Sequence, residues 1–410
     1  MLWKCGKLGG CQISTQGEVH HNRYRDWTDP STGFMTRITL VLFFANVLAA
    51  AANNNPSDAL RKADQYANLY NWASAKPLFL TADRGLPHGS PEQIHAHLGY
   101  LRATMETRSL PELSNYLGAL LNSPEMASNP GLRLWCLGIK GDVDGEMDSA
   151  SARADWEEAH RVATKLSDKK WQSRSLAEAG FNAYIEGDIA TGRRNVAAGL
   201  GMAHRTGDVG AEIRYLSAIG TGIEWNGAYQ EALGYFQKAQ LLAKQNPDSG
   251  YPFLTVAGEV ETLIKEAHYQ EAEDLVQKAS MQATQSDKLI KLTQLMLFDA
   301  DIALGEKQPP RAIQILQKMI PLARRNQTRM LADAEMKLAE IYREQHRLAL
   351  AERYVSAALR TYTSDKRSLY RSGPAGVHCS APMGFRTTSS SPPQHHAGSR
   401  NFRRPALSNK

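Results

Sequence analysis

The sequence predicts an all-α protein, a right-handed α-solenoid of about seven to eight stacked helical hairpins. The first observation is an internal repeat, because residues 228–232 (AYQEA) return 40 positions later as residues 268–272 (HYQEA). The second is the sequence Gln-Lys-Ala at 237–239 and 277–279, which returns as Gln-Lys-Met at 317–319. Self-similarity at a period of this size is the sequence signature of a repeat architecture.

Each repeat contains two helical stretches. Around Ala232, the first apolar face consists of Leu216, Ile219, Gly220 and Ile223, and the second of Tyr229, Ala232, Leu233, Phe236 and Ala239. These spacings place side chains on one side of a helix. Asn226 and Gly227 separate the two stretches, and glycine readily adopts the backbone conformation of a helix C-terminal cap. Each unit is therefore predicted to be a hairpin whose small residues let its two helices approach closely.

The chain begins with a segment that lacks this pattern. Residues 1–34 contain Cys5, Cys11, His20 and His21, but their spacing fits no zinc finger. We therefore expect no metal site there. We interpret residues 1–34 as a non-native or disordered extension.

Residues 35–52 show the three parts of a secretory signal peptide. Arg37 supplies the positive charge, residues 38–52 are mostly apolar, and small residues offer a cleavage site at 50–52. On this interpretation translation starts at Met35 and the protein is exported, to the periplasm or the extracellular space. The alternatives are a buried helix in a cytoplasmic protein or an uncleaved membrane anchor. Unless residues 38–52 form such an anchor, we expect no stable membrane span.

The end of the chain is basic and has no helical period. Residues 365–410 are rich in Ser, Pro, Gly and Arg, and we expect them to be disordered. They carry eight basic and one acidic side chain, a net charge of +7, and residues 1–34 carry +1, so the total of +6 leaves residues 35–364 with a net charge of −2. A near-neutral body lacks the basic footprint of a nucleic-acid-binding protein, so we expect no nucleic-acid partner.

The repeats resemble the tetratricopeptide (TPR) family. The first unit has the family pattern at Ala63, Tyr66, Ala75, Phe79 and Ala82, and later units have it at Gly220, Ala232, Phe236 and Ala239. The resemblance covers about residues 57–362. The period near 40 departs from the standard period of about 34 residues, so this is a long-period variant; HEAT repeats are the structural alternative.

The resemblance implies a non-enzymatic scaffold that binds a protein or peptide on the concave face of its superhelix. By analogy with the family, the groove positions are Phe181, Tyr184, Thr221, Trp225, Glu261, Lys265 and Arg343. For Tyr184 and Trp225, ordinary packing over the hairpin turn is the competing interpretation. The alternative function is the N-terminal sensor half of a bacterial signalling protein or caspase-like (CHAT) peptidase that has lost its C-terminal effector.

Motifs of enzymes and cofactor sites are absent from the sequence. There is no phosphate-binding glycine loop, no Gly-x-Ser-x-Gly and no His-Glu-x-x-His. Residues 141–145 (GDVDG) suggest a calcium loop but lack the ligand order and terminal Glu of an EF-hand. We interpret them as a plain loop between helices, and we expect no catalytic residue, cofactor or metal.

The signal-peptide interpretation predicts a processed N-terminus. Expression in a bacterial secretion host should yield a mature chain that begins near Asn53, because cleavage follows the small residues at 50–52. N-terminal sequencing of the purified protein measures this directly. A chain that starts upstream of Met35 and is not cleaved would contradict the interpretation.

Overall fold

The computed structural model describes residues 55–147, 149–326 and 329–364. These residues form seventeen α-helices and one short 3₁₀ turn, Met105–Thr107. The helices are α1 (Pro56–Asn68), α2 (Trp72–Gly85), α3 (Pro91–Thr104), α4 (Leu110–Leu121), α5 (Pro124–Ser128), α6 (Pro130–Glu146), α7 (Ser151–Lys165), α8 (Lys169–Ile185), α9 (Ile189–Thr206), α10 (Val209–Glu224), α11 (Tyr229–Gln245), α12 (Phe253–Lys265), α13 (Tyr269–Gln285), α14 (Leu289–Gly305), α15 (Pro309–Asn326), α16 (Met330–Glu344) and α17 (Leu348–Ser364).

The helices pair into eight hairpins, with the short helix α5 inserted between the second and third. Each hairpin packs on the next, and α10, α12 and α14 also contact one another in series. The prediction of an all-α solenoid is confirmed. Among the described helices, none has the length and apolar character that a membrane crossing requires. The predicted extension (1–34), signal peptide (35–52) and basic tail (365–410) lie outside the described residues.

The 40-residue repeat consists of two helix-and-turn units of 20 residues each. Left-handed backbone conformations recur at Ser167, Gly187, Gly207, Gly227, Ala267, Asp287 and Lys307, at steps of 20 or 40 positions. Gly227 has a φ of 80°, as the predicted helix break requires. In the central hairpins, the helix that follows each turn begins with an aspartate N-cap. The side chains of Asp168, Asp188 and Asp208 each accept a hydrogen bond from the backbone N–H three residues further along the chain.

Glycines let aromatic rings pack between adjacent hairpins. Phe236 on α11 is fully buried. A Cβ atom at Gly220 on α10 would lie 2.6 Å from the Phe236 ring, and one at Gly258 on α12 would overlap the same ring. The ring therefore lies between its own hairpin and the following one, and it joins the two repeats.

One sequence interpretation is wrong. Residues 141–145 are not an inter-helix loop, because they lie within α6. Their glycines serve packing instead. A Cβ at Gly138 would lie 2.7 Å from the Trp171 ring, and one at Gly141 would lie 2.6 Å from Trp156 Nε1. The indole rings of Trp156 and Trp171 therefore pack against α6 at its glycines, where no side chain separates them from the backbone.

The packing of Phe236 predicts opposite effects for two glycine substitutions. Gly258→Ala places a methyl group against a buried ring, and overpacking of this kind costs about 1–3 kcal/mol. Gly234→Ala, on α11 with open space around its Cβ position, should stabilise the protein by about 0.5–1 kcal/mol through helix propensity. Thermal and urea unfolding of both variants measure this. Equal stability of the two variants would contradict the position of the Phe236 ring between the two hairpins.

Candidate functional site

The turn between α1 and α2 reaches the inner face of the second half of the solenoid. The carbonyl oxygen of Leu69 accepts a hydrogen bond from the N–H of Gly250 at 3.0 Å. Asn71 Nδ2 donates to the carbonyl oxygen of Asp248, 177 positions along the chain, also at 3.0 Å. The two halves of the superhelix therefore meet across its interior, an arrangement that we call the closed superhelix.

Two glycines permit this close approach. A Cβ at Gly210 would lie 2.9 Å from Leu69 Cα, and one at Gly250 would lie 3.1 Å from Asn71 N. Both contacts involve backbone atoms, which cannot rotate aside as a flexible side chain can. Any larger residue at these two positions would push the turn between α1 and α2 away from α10 and from the α11–α12 loop.

Tyr70, in the turn between α1 and α2, contacts two arginines through its ring. The guanidinium carbons of Arg174 and Arg214 lie 5.2 Å and 5.6 Å from the centre of its ring. Such distances give a favourable cation–π interaction. Burial raises the pKa of Tyr70 to about 12, although Arg174 acts in the opposite direction. The phenol therefore stays neutral at physiological pH, and its ring serves as a packing surface for the two cations.

Each arginine is held in place by a carboxylate. Arg174 donates to both oxygens of Asp208 at 2.8 Å and to the carbonyl oxygen of Asn68 at 2.9 Å. Arg214 donates to both oxygens of Glu178. Two-point pairs of this geometry are strong and orient the planar guanidinium. The network links α8 and α10 to the turn between α1 and α2.

The second half of the solenoid also contacts the 3₁₀ turn after α3. Glu106, 5% exposed, accepts a hydrogen bond from the N–H of Ile290 at 3.0 Å, at the start of α14. Lys288 Nζ lies 3.7 Å from the same carboxylate, and burial lowers the pKa of Lys288. Asn326 Nδ2 donates to the carbonyl oxygen of Glu106 at 2.5 Å. These bonds fix a second point of closure.

A third contact joins the end of α6 to α14. Lys291 Nζ lies 2.6 Å from Glu146, and the N–H of Arg329 donates to the carbonyl oxygen of Glu146 at 3.4 Å. Burial acts to raise the pKa of Glu146, but the charges of Lys291 and Arg329 outweigh it and hold that pKa at about 2. Glu146 is thus ionised whenever the protein is folded under ordinary conditions.

The three contacts border a cavity of about 230 Å³, the interior cavity. Its charged lining consists of five basic and four acidic side chains: Arg102, Arg214, Lys288, Lys291, Arg329, Glu106, Asp142, Glu146 and Glu178. Its aromatic lining includes Tyr70, Trp72, Trp156, Phe181, Tyr251 and Phe253. The cavity is therefore a mixed polar and aromatic space lined mainly by the first helices of successive hairpins, with one more positive than negative side chain.

The lining positions shift along the helices from one hairpin to another. In α6 they lie in the last two turns, at Gly141, Asp142 and Gly145, whereas in α14 they lie in the first two turns, at Lys291 and Gln294. Positions counted at a fixed distance from the small residue of each repeat cannot follow this shift. The sequence prediction used such a fixed distance, and it missed most of the lining for this reason.

One sequence signal would have found part of the cavity. Charged residues recur on the first helices of successive hairpins, at Arg102, Asp142, Glu178 and Arg214, at steps of 40, 36 and 36 positions. The opposite charges next to each other in this series pair, because Arg102 Nε lies 2.5 Å from Asp142 and Arg214 contacts Glu178. A charge that repeats at the hairpin spacing indicates a polar inner face.

Three of the predicted groove residues are aromatic. Phe181 lines the interior cavity and stacks on Trp225, with 6.4 Å between ring centres. Trp225 is half-buried and lies outside the cavity lining. Tyr184 is 5% exposed and packs between Gly192 and Gly222. The structure thus brings Phe181 and Trp225 together and places Tyr184 in the packing between hairpins.

The other four predicted residues lie outside the cavity lining. Thr221 is buried, Glu261 is half-buried, and Lys265 and Arg343 are exposed. Burial and the charge of Glu261 raise the pKa of the neighbouring Glu224 to about 8. The role of these four residues, and of the three aromatic ones, in binding a partner stays a prediction.

The comparisons with known proteins concern the fold. No protein-family model matches the sequence, and no curated protein matches it significantly. Among solved structures, a Rap protein complexed with Competence and Sporulation Factor is similar at 11% identity and a TM-score of 0.53, over 76% of this chain and 99% of that one. The chain has a TPR-like solenoid fold. Aspartyl phosphate phosphatase F from Bacillus subtilis matches at 12% identity and a TM-score of 0.40, over 78% of this TPR-like chain and 96% of that one.

The pairing of Glu146 predicts a pH-dependent stability difference. Its folded pKa of about 2 lies below the ordinary value of 4.5, so its stabilisation is complete above pH 4.5 and is lost as the pH falls towards 2. Glu146→Gln should therefore lower the free energy of unfolding by on the order of 1–3 kcal/mol at pH 7, and by much less near pH 2. Urea unfolding from pH 7 to pH 2.5 measures this difference. A difference independent of pH would contradict the ion pair.

Proposed function

We propose that this protein is a non-enzymatic binding scaffold that holds a short peptide segment of its partner in the interior cavity. The observation that carries the proposal is the cavity itself. It is lined mainly by the first helices of successive hairpins of a TPR-like solenoid, has a volume of about 230 Å³ and combines aromatic walls with charged side chains. Aromatic side chains with a few polar groups are typical of binding sites.

The size of the cavity limits what it can hold. Ligand pockets for whole small molecules usually span about 300–1,000 Å³, and this cavity is smaller. It fits one or two side chains or the end of a peptide, with the rest of the partner outside. The similar Rap structure is a complex with Competence and Sporulation Factor, which supports a binding role for such a solenoid.

The charged side chains of the cavity support binding rather than catalysis. Asp142, Glu146 and Glu178 each accept from a neighbouring cation within the protein. A general acid or base needs a pKa near the working pH, and Glu146 has a pKa of about 2. These groups hold the helices and shape the cavity. If translation starts at Met35, as the sequence predicts, we propose that binding takes place outside the cytoplasm.

A pair of matched substitutions tests the proposal. A peptide is first selected from a displayed random-peptide library against the purified full chain, and its Kd is measured by calorimetry. Gln294→Trp fills the cavity from α14 and should weaken binding by about tenfold or more. Gln237→Trp makes the same change at an exposed position on α11 and should leave the Kd unchanged. Library peptides that bind equally to both variants would contradict a site in the interior cavity.

A further inference from the structure

Two glutamates meet where the fifth hairpin (α10 and α11) packs on the sixth (α12 and α13). Glu224 is the last residue of α10, and Glu261 lies in the second half of α12. Short connections at both ends of α11 make α10 and α12 parallel, and the hydroxyl groups of Ser217 and Thr255 join these two helices by a hydrogen bond of 2.6 Å. About two turns beyond that bond, Glu224 and Glu261 lie at the same level. We call them the glutamate pair.

Glu224 is buried, and one of its carboxylate oxygens has no partner. The residue is 2% exposed, and its Oε2 atom has no hydrogen-bond partner within the described part of the chain. Burial is the main cause that raises the pKa of Glu224 to about 8; the charge of Glu261 raises it further, and the exposed Lys265 lowers it. The ionised form of Glu224 is therefore poorly stabilised at this junction.

The other titratable groups around Glu224 do not bring a counter-charge. Tyr184, on α8, packs its ring against Gly222, and burial raises the pKa of its phenol, so the phenol is neutral at physiological pH. Glu259, on α12, is itself acidic and accepts a hydrogen bond from Gln240 on α11. Among the described residues, no charged side chain of α9 or α11 shifts the pKa of Glu224. The neutral form of Glu224 is therefore the one that suits this junction.

Protonation of Glu224 satisfies both members of the pair. A neutral carboxyl group donates one hydrogen bond, and an ionised carboxylate only accepts, so a proton on Oε2 suits the neighbouring Glu261. The proton leaves when Glu224 is exposed to water, because its ordinary pKa is 4.5 and its folded pKa is about 8. Between these two pH values the closed junction binds one more proton than an open one, so its stability falls as the pH rises.

The turn between α1 and α2 bridges this junction. On one side Leu69 lies against Gly210 of α10, and on the other its carbonyl oxygen accepts from the N–H of Gly250, just before α12. Ser217 and Thr255, which join α10 to α12, both line the interior cavity. Separation of α10 from α12 would therefore break one of the two contacts of the turn and remove part of the cavity wall.

We propose that the glutamate pair is a proton switch: with a proton on Glu224 the fifth and sixth hairpins stay together and the superhelix is closed, and loss of that proton as the pH rises separates α10 from α12 and opens the interior cavity. The effect of the switch on a ligand rests on the proposed function. The opening itself needs no ligand and can be tested without one.

Hydrogen exchange of the full chain measures the opening. The amide of Gly250 is the probe, because its hydrogen bond to Leu69 breaks when the superhelix opens. Its protection factor, which corrects for the intrinsic exchange rate at each pH, should fall by about tenfold per pH unit between pH 5 and 7, the slope for release of one proton. The slope should end near pH 8, where the closed form of Glu224 also ionises. Glu224→Gln should lose this slope.

Two further variants separate the pair from other causes. Glu231→Gln makes the same change at an exposed position on α11 and should keep the wild-type slope. Glu261→Gln removes the neighbouring negative charge and lowers the pKa of Glu224, so its slope should end at a lower pH. An equal slope in wild type and Glu224→Gln would overturn the switch. A wild-type protection factor that is constant from pH 5 to 7 would also overturn it, and that result needs no variant to fold.

A second measurement connects the switch to the ligand. For the library-selected peptide, the ratio of the wild-type Kd to the Glu224→Gln Kd should rise by about tenfold from pH 5.5 to pH 8, because only the closed protein binds. The ratio removes the effect of the titrating groups of the peptide itself. If the peptide depends on Gln294 but this ratio is constant, the scaffold proposal stands and the control of the cavity by the pair falls. If Glu224→Gln loses the exchange slope but no peptide depends on Gln294, the switch stands and the peptide scaffold falls.

Discussion

The contact between the first hairpin turn and the middle of the chain is the constraint on which the interior depends. The ring of Tyr70 contacts Arg174 and Arg214, and each arginine is oriented by its own carboxylate. Gly210 and Gly250 remove the side chains that would keep the backbones apart. Without this contact, the turn between α1 and α2 would no longer cover the charged residues that line the interior cavity.

Burial of so many charges is stable only because they are paired. An isolated ion in the interior costs several kcal/mol, and removal of one partner of a buried pair leaves that cost uncompensated. The pairs Arg174–Asp208, Lys291–Glu146 and Lys288–Glu106 each join parts of the chain that lie in different hairpins. They favour one arrangement of the solenoid over others, because a shifted arrangement would leave charges unpaired.

The local parts of the structure could be predicted from the sequence. The helical period, the break at Gly227 and the packing role of Phe236 depend on residues within one or two repeats, and short-range patterns determine them. The exception is the segment 141–145, whose glycines and aspartates suggest a loop. It is helical because Trp156 and Trp171 pack against the glycine surface of α6, and those tryptophans lie 18 and 33 positions after Gly138, outside any local window.

The closure and the cavity could not be predicted in the same way. Contacts such as Leu69 with Gly250 or Glu106 with Ile290 span about 180 positions, and they depend on the accumulated twist of several hairpins. Because of that twist, the residues that line the cavity lie at the end of α6 but at the start of α14. A prediction that counts a fixed distance from the small residue of each repeat therefore includes Phe181 and omits Gln294.

Zero-length cross-linking tests the closed superhelix most directly. A carbodiimide joins a lysine to a carboxylate that it already contacts. Lys76 Nζ lies 3.5 Å from Asp287, on the opposite half of the superhelix, and both side chains are exposed to the reagent. Lys337 and Asp301, 2.5 Å apart in adjacent hairpins, provide the positive control. Mass spectrometry of the monomer should find both cross-links within one chain. A cross-link between Lys337 and Asp301 without one between Lys76 and Asp287 would show that the superhelix is open and would contradict its closure.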